Sequence, residues 1–192
     1  PGGPVASHAD SVVVSFSFTK PIHAAGMGGA LAVRRELITH YDPVRWTDGQ
    51  CALPELNAAH LVLAWPSLDA NIERLRRTYT RYAEVAAAAG LGVQIERGVS
   101  TRIHAPVLLP QRLAGRRDEL LGALDAAGIS CRAQFTSQSE LLGLMTPPPV
   151  SKAVSDRVLS LPTGAGLPAR SVEHVARTVE DVLGRPEFAE RP

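Results

Sequence analysis

The beginning of the sequence predicts two β-strands joined by a glycine-rich connection, and this pattern most constrains the fold. Residues 11–18 alternate β-branched and aromatic residues with serines, as a half-buried strand does. A second apolar segment, residues 30–33, follows the glycines of residues 26–29, which indicates a hairpin or adjacent strands of one sheet. Between the two segments, Lys20 precedes Pro21. Because the residue before a proline is disfavoured in helices, we expect Lys20 in an extended segment or a turn.

The rest of the sequence has mainly helical periodicity. Apolar residues at helical spacing predict a helix that begins near Pro54, is interrupted at Pro66 and continues to Gly90. Two more helices are predicted over residues 113–128 and 171–184, the last with a serine as its N-cap and a glycine at its end. Further strand candidates are residues 92–96, 103–109 and 129–135.

These elements divide the sequence into three segments. A β-rich head covers residues 1–50, an α+β body covers residues 51–184, and residues 185–192 are a frayed tail. The predicted fold class is therefore α/β, with an α+β body. With 45% hydrophobic residues the chain can bury a core, and no apolar run reaches the roughly 18–20 residues that a membrane helix needs.

Charge and cysteine content exclude several classes of function. A net charge of +1 gives no reason to expect binding to nucleic acid or to an anionic membrane. Cys51 and Cys131 are isolated thiols, and the six histidines have no ligand spacing, so we expect neither a disulfide framework nor a metal site. The sequence does not open with a basic stretch followed by an apolar one, so we expect no signal peptide and a cytoplasmic protein.

Lysine is rare in this chain: of 20 basic residues only Lys20 and Lys152 are lysines. Arginine cannot replace a lysine that must lose its proton to act as a nucleophile, so Lys20, at the end of a predicted strand, is a candidate Schiff-base residue. Ser15 and Thr19 offer hydroxyls nearby, and the glycines allow backbone N–H groups to approach an anion. The alternative is that the two lysines remain by chance in a chain that otherwise uses arginine, and that Lys20 is only an exposed hairpin residue.

The order of residues in this region resembles that of a known enzyme family. Ser15-Phe16, then Thr19-Lys20, then G-x-G-G-A-L from Gly26, resembles the lysine segment of the DegT/DnrJ/EryC1/StrS family of pyridoxal-phosphate-dependent sugar aminotransferases, which have the fold-type I architecture. The resemblance covers nearly the whole chain but only the C-terminal half of the family's length. Its further segments are residues 54–59, 72–82, 107–109, 117–120, 128–132, 157–162 and 171–173.

The resemblance implies pyridoxal 5'-phosphate as cofactor and three residues that bind it. Lys20 would form the Schiff base and shuttle a proton during transamination, and Ser15 would hydrogen-bond the cofactor phosphate. Gln50 stands where the family has an asparagine that reaches the phosphate in the neighbouring subunit of a homo-oligomer. The implied substrates are a small-molecule amino donor and a keto-sugar or related acceptor. Ser17 and Ala52 depart from the family, in which many members have histidine and arginine there.

The half-length resemblance leads to the expectation of a split enzyme, in which residues 1–50 are part of the cofactor-binding large domain. A second chain carrying the N-terminal half would supply the phosphate-cradling helix, the aromatic residue that stacks on the pyridine and the aspartate that pairs with its nitrogen; Asp10 does not match that aspartate. We expect an exposed apolar surface where that half packs. The altered Ser17, Gln50 and Ala52 favour the alternative of a non-catalytic pseudoenzyme or assembly subunit. A cleaved or truncated longer protein is a third possibility.

Overall fold

A computed structural model describes residues 5–40, 52–134, 141–143 and 149–188 of the chain. Two compact units are formed, by residues Pro1–Ile72 and Glu73–Pro192. Both helices and strands are present, which confirms the mixed α/β class. The bounds of 1–50 and 51–184 for the head and body stay a prediction. No helix in the described ranges is long and apolar enough to cross a bilayer.

The first unit contains the expected hairpin. Strand β1 (Ser11–Ser15) pairs antiparallel with β2 (Gly29–Val33), and the register places Val13 opposite Leu31. The strand is shorter than the predicted residues 11–18, because the chain turns inward at Phe16. The side chain of Phe16 is buried, so the chain leaves the regular ladder and forms a loop before β2.

Two helices follow the hairpin. Helix α1 (Glu55–Ala64) has Pro54 at its N-cap, and α2 (Leu68–Ala88) is separated from it by the short 3₁₀ turn Trp65–Ser67. The predicted interruption at Pro66 is confirmed, since proline has no N–H for the helical ladder. The first unit has a small core made by the loop and α1, with the buried residues Phe16, Ile22, Ala24 and Leu61.

The second unit has a three-stranded antiparallel sheet in the order β3-β4-β5. Strand β3 (Gly92–Val93) pairs with β4 (Ala105–Leu108), and β4 pairs with β5 (Val158–Leu161). The sheet packs with helices into the larger core, whose most deeply buried side chains include Tyr82, Leu109, Leu120, Leu124, Leu159 and Val182. The described helices of this unit are the continuation of α2, α3 (Arg117–Ala126), α4 (Pro149–Ser155) and α5 (Ala169–Leu183).

Several predicted elements of the second unit differ in their bounds. The helix predicted over residues 113–128 begins only at Arg117, because Gly115 adopts a left-handed conformation with φ +81° after a 3₁₀ turn. Helix α5 begins at Ala169 with Pro168 at its N-cap, so the prediction that Ser171 caps it is wrong. Proline serves because its fixed φ and missing N–H suit a helix start.

Three strand predictions are also shortened, and the one over residues 103–109 becomes β4 (Ala105–Leu108). The strand expected over residues 92–96 has only two residues. In the strand candidate at residues 129–135, the described part contains a single bridge, in which Arg132 and Ser160 exchange backbone hydrogen bonds of 3.1 and 2.8 Å. Residue 135 lies outside the described residues. One bridge satisfies the backbone locally but does not build a strand.

The predicted frayed tail is packed in its described part, residues 185–188. The side chain of Phe188 is buried in the core of the second unit, and its carbonyl oxygen accepts a 2.7 Å hydrogen bond from Nη1 of Arg112. Arg116 donates to the carbonyl oxygen of Glu187. A buried aromatic ring and two arginine donors hold this segment, which compositional reasoning missed.

Candidate functional site

Lys20 lies in the tight turn that follows β1. Its backbone N–H donates a 3.0 Å hydrogen bond to the carbonyl oxygen of Ser17, which closes the turn. Its side-chain Nζ donates to Oγ1 of Thr19 at 3.4 Å, and the side chain is partly exposed. The expectation of a turn rather than a helix is confirmed. A lysine held by a closed backbone turn, with its amine at the surface, can reach an incoming carbonyl group.

Two serine hydroxyls lie beside each other where β1 ends and the turn begins. Oγ of Ser15 donates to Oγ of Ser17 at 3.2 Å and accepts from the backbone N–H of Ser17 at 3.4 Å. Ser15 is exposed, so its hydroxyl can also bind an external oxyanion such as a phosphate. Ser15, the last residue of β1, and Lys20, in the turn that follows, are five positions apart in the sequence. Gln50 lies outside the described residues, and Ala52 is an exposed residue near α1.

Close packing requires glycine at the start of β2, at Gly28 and Gly29. A Cβ on Gly28 would lie 3.0 Å from Cβ of Ala24 and 3.1 Å from Cδ1 of Leu53, and one on Gly29 would lie 2.9 Å from the carbonyl oxygen of Val14. Both distances at Gly28 are tighter than ordinary carbon contacts. Close approach of a ligand to these glycines, expected from the sequence, stays a prediction, since the neighbours present are protein atoms.

Side chains from α1 and α2 hold the loop that contains Lys20. Nδ2 of Asn71 donates to the carbonyl oxygen of Pro21 at 2.8 Å, and Nδ2 of Asn57 donates to the carbonyl oxygen of Ala24. The ring of His23 stacks on that of His60, with centroids 5.4 Å apart and an interplanar angle of 24°.

Sequence reasoning missed these contacts. Asn57 and Asn71 were visible only as two asparagines in helical segments, where asparagine is a poor helix former. That weak preference was the available signal, because a polar residue kept on a helix often bonds to a neighbouring backbone group.

The residues present fit the amine-binding and phosphate-binding part of a pyridoxal phosphate site. Lys20 provides a primary amine, and Ser15 and Ser17 provide hydroxyls at one turn. An acidic partner for a pyridine nitrogen is not provided by Asp10, which forms a 3.2 Å ion pair with Arg34 at the other end of the hairpin. Ser15 is five residue steps along the strand from Asp10, about 17 Å. The described residues thus fit one side of the cofactor.

In the described part of the chain, the other reactive groups form no second site. Among the residues that the structure describes, no group of three or more histidine, cysteine, aspartate or glutamate side chains could hold a metal ion. Burial raises the pKa of the Cys131 thiol to about 11, so that it is protonated at neutral pH and a poor nucleophile. Burial also raises the pKa of Tyr82 to about 12, and its hydroxyl donates to the carbonyl oxygen of Pro162 at 3.1 Å. Both groups are structural.

Comparisons with known proteins identify a family for most of the chain. The sequence model of the DegT/DnrJ/EryC1/StrS aminotransferase family matches residues 49–180, which is more than half of the chain. This matched range begins after Lys20, so the lysine turn is compared only through the structure. No curated protein sequence matches this chain closely enough to count as a relative.

Solved structures of aminotransferases share the fold of nearly the whole chain. DesI, solved in the presence of its TDP-sugar product, has 25% identity and a TM-score of 0.78 over 92% of this chain and 50% of its own. A DegT DnrJ EryC1 StrS aminotransferase from Brucella abortus has 22% identity and a TM-score of 0.74, over 92% and 52%. The PLP form of the sugar aminotransferase Spr1654 from Streptococcus pneumoniae has 16% identity and a TM-score of 0.80, over 94% and 53%.

The chain spans about half the length of these solved structures, which confirms the prediction that its fold is half of the fold-type I architecture. At identities under 25% the likeness shows the fold alone, whereas the family model matches the sequence itself. By sequence and by fold, the chain belongs to the DegT/DnrJ/EryC1/StrS aminotransferase family.

Proposed function

We propose that this chain is the lysine-bearing half of a pyridoxal-phosphate-dependent aminotransferase that passes an amino group from a small donor to a keto-sugar or related keto acceptor. The observation that carries the proposal is the end of β1 and the turn after it, which present the hydroxyl of Ser15 and the amine of Lys20 five positions apart in the chain. DesI, a relative in fold, was solved with its TDP-sugar product, which supports a sugar acceptor.

In this proposal the polar groups at the end of β1 and in the turn bind the cofactor, and one of them also moves a proton. The bound cofactor supplies an electron sink for the carbon that loses and gains the amino group. Lys20 holds the cofactor through Nζ and, when released, moves a proton at Nζ between the reacting carbons. Thr19 accepts a hydrogen bond from Nζ, which orients the amine. Ser15 and Ser17 supply hydroxyls to the phosphate, and Gln50 is a further candidate for this contact.

A second chain carrying the N-terminal half completes the proposed enzyme. The first unit leaves apolar side chains uncovered: Val13 of β1 is 81% exposed, and Leu56 and Leu63 of α1 are 83% and 80% exposed. Helix α1 is apolar around most of its circumference, which is typical of a helix buried on all sides. An isolated two-stranded hairpin is marginally stable, so added strands or helices would also stabilise β1 and β2.

The proposal is tested by co-expressing this chain with the polypeptide that supplies the N-terminal half, sought in the neighbouring reading frames. We expect the chain alone to retain no pyridoxal phosphate, and the complex to be yellow and to carry a pyridoxyl group on Lys20 after borohydride reduction. Lys152→Ala is the matched control, because Lys152 is the only other lysine of the chain. A colourless complex would contradict the proposal.

The alternative function is a non-catalytic assembly subunit, favoured by Ser17, whose hydroxyl is already bonded to that of Ser15, and by Ala52. The same complex separates the two functions. If the chain is catalytic, Lys20→Ala abolishes transamination while the complex still forms. If it is an assembly subunit, the complex forms and its activity is the same with Lys20→Ala as with Lys152→Ala.

A further inference from the structure

Two asparagine side chains bind the backbone of the Lys20 loop, residues 16–28. Asn71, in the first turns of α2, donates through Nδ2 to the carbonyl oxygen of Pro21 at 2.8 Å. Asn57, in α1, donates through Nδ2 to the carbonyl oxygen of Ala24. The two acceptors lie one and four residues after Lys20. The donors come from two different helices, so the loop is held at two points.

The loop needs these donors because it has few backbone hydrogen bonds of its own. Three backbone hydrogen bonds lie within residues 16–28. The N–H of Phe16 donates to the carbonyl oxygen of Gly28 at 2.7 Å, that of Lys20 to Ser17 at 3.0 Å, and that of Ala24 to Phe16 at 2.9 Å. Ala24 is fully buried, and a buried carbonyl oxygen without a donor would be costly. The asparagine amides therefore satisfy acceptors that the loop itself leaves open.

The backbone after Lys20 is also in a conformation that must be held. Ala25 has φ +51°, in the left-handed region that side-chain-bearing residues rarely adopt. Its N–H donates to Nδ1 of His23 at 3.2 Å. The ring of His23 has its centroid 5.8 Å from that of Phe18 and 5.4 Å from that of His60 on α1. Strained backbone persists only where surrounding contacts determine it.

We propose that Asn71, assisted by Asn57, is a positioning residue for Lys20: its amide holds the carbonyl of Pro21 and thereby the backbone from which the Lys20 side chain projects. The inference rests on the proposed role of Lys20 in catalysis. The predicted positioning is nevertheless a property of this chain alone, and it can be measured without cofactor or partner.

The first test measures hydrogen exchange of single amides in the full chain. Asn71→Asp keeps the shape of the side chain but replaces the donor by an acceptor. We expect the amides of Lys20 and Ala24 to exchange about two- to tenfold faster, the range that one hydrogen bond supports. The amide of Leu109, which donates to Arg157 in the second unit at 3.0 Å, should not change. Thr80→Asp, at an exposed position of α2, controls for the added charge.

The second test uses the fact that the chain has two lysines. The chain is acetylated with a substoichiometric amount of an amine-reactive reagent. Peptide mass spectrometry then gives the ratio of labelling at Lys20 to labelling at Lys152. We expect Asn71→Asp to raise this ratio about two- to tenfold and Asn71→Gln, which keeps the donor, to return it toward that of the wild type. If the effect of Asn71→Asp came from a general loss of structure, the amide of Leu109 would also exchange faster. The Asn71→Gln variant would then not return the labelling ratio toward that of the wild type.

Unchanged exchange at Lys20 and Ala24, together with an unchanged labelling ratio, would overturn the inference. Asn71→Asp could lower the protection of amides throughout the chain. In that case the same two measurements are made on Asn71→Ala, which removes the donor without adding charge, and their result decides whether the inference holds. Failure of the proposed function is distinguishable, because Lys20 would then carry no pyridoxyl group in the wild-type complex, whatever the behaviour of Asn71.

Discussion

The side-chain amide of Asn71 donates a 2.8 Å hydrogen bond to the carbonyl oxygen of Pro21, the residue next to Lys20. The two residues are 50 positions apart in the sequence, so the turn that contains Lys20 is held by a helix from a distant part of the sequence. Packing and hydrogen bonding from α1 and α2 thus shape a loop that has few backbone hydrogen bonds of its own.

Substitution of Gly28 should destabilise the first unit. The new Cβ of Gly28→Ala would lie 3.0 Å from Cβ of Ala24 and 3.1 Å from Leu53, so the small core must shift, at a cost of about 1–3 kcal/mol. Gly122→Ala is the control, because Gly122 lies in α3 with no neighbour within 4 Å of the added methyl group. It should stabilise by up to about 1 kcal/mol, since alanine is the better helix former. Denaturant unfolding of both variants, followed by hydrogen exchange of the first unit, measures the difference, and equal stabilities would contradict it.

Exposed leucines of α1 should matter for assembly and not for the stability of the chain alone. Leu63 is 80% exposed, so Leu63→Glu should change the free energy of unfolding by no more than about 0.5 kcal/mol. In the complex with the N-terminal half, or in a homo-oligomer, the same charge would be buried, and we expect affinity to fall at least about tenfold. Denaturant unfolding measures the effect on stability, and light scattering and binding titrations measure the effect on assembly. Thr80→Glu on α2 is the control. An unaffected complex would place the interface elsewhere.

The carboxylate of Glu173 should make a pH-dependent contribution to the stability of the second unit. Hydrogen bonds from Arg81, at 2.9 and 3.1 Å, and from Arg177, at 3.0 Å, lower the pKa of Glu173 to about 2. Because the folded pKa is below the ordinary 4.5, the contribution is complete above pH 4.5 and is lost as the pH falls toward 2.

We therefore expect Glu173→Gln to lower the unfolding midpoint of the second unit at pH 7, with a difference from the wild type that shrinks between pH 4.5 and 2. Thermal unfolding at a series of pH values measures the difference. Because the pairs are partly exposed, added salt should reduce it as well. A difference that stays constant with pH would show that the lost packing of the side chain, and not its charge, is responsible.

The thiol of Cys131 should react slowly in the folded chain. Burial raises its pKa to about 11, so at pH 8 the thiolate fraction is roughly a hundredfold or more below that of a free cysteine. In Cys51→Ser, where Cys131 is the remaining thiol, alkylation should be slow in buffer and fast in denaturant. Alkylation in buffer at the rate of a small free thiol would contradict the burial.

Local sequence chemistry predicted the elements that depend on neighbours in the chain. The alternation of residues 11–18 and the segment 30–33 predicted the hairpin, and Pro66 predicted the break between α1 and α2, since backbone geometry and a missing N–H act locally. The start of α3 was predicted four residues too early, because a left-handed conformation at Gly115 is not visible in apolar spacing.

By itself, the sequence determined the class of the fold, the family and a turn at Lys20, because periodicity, proline and residue order are properties of contiguous residues. Only the tertiary structure decided which groups hold that turn. Asn57 and Asn71 reach it from separate helices, and their amides bond to backbone carbonyl oxygens that every residue possesses. Such contacts depend on the three-dimensional path of the chain, which spacing along the sequence does not specify.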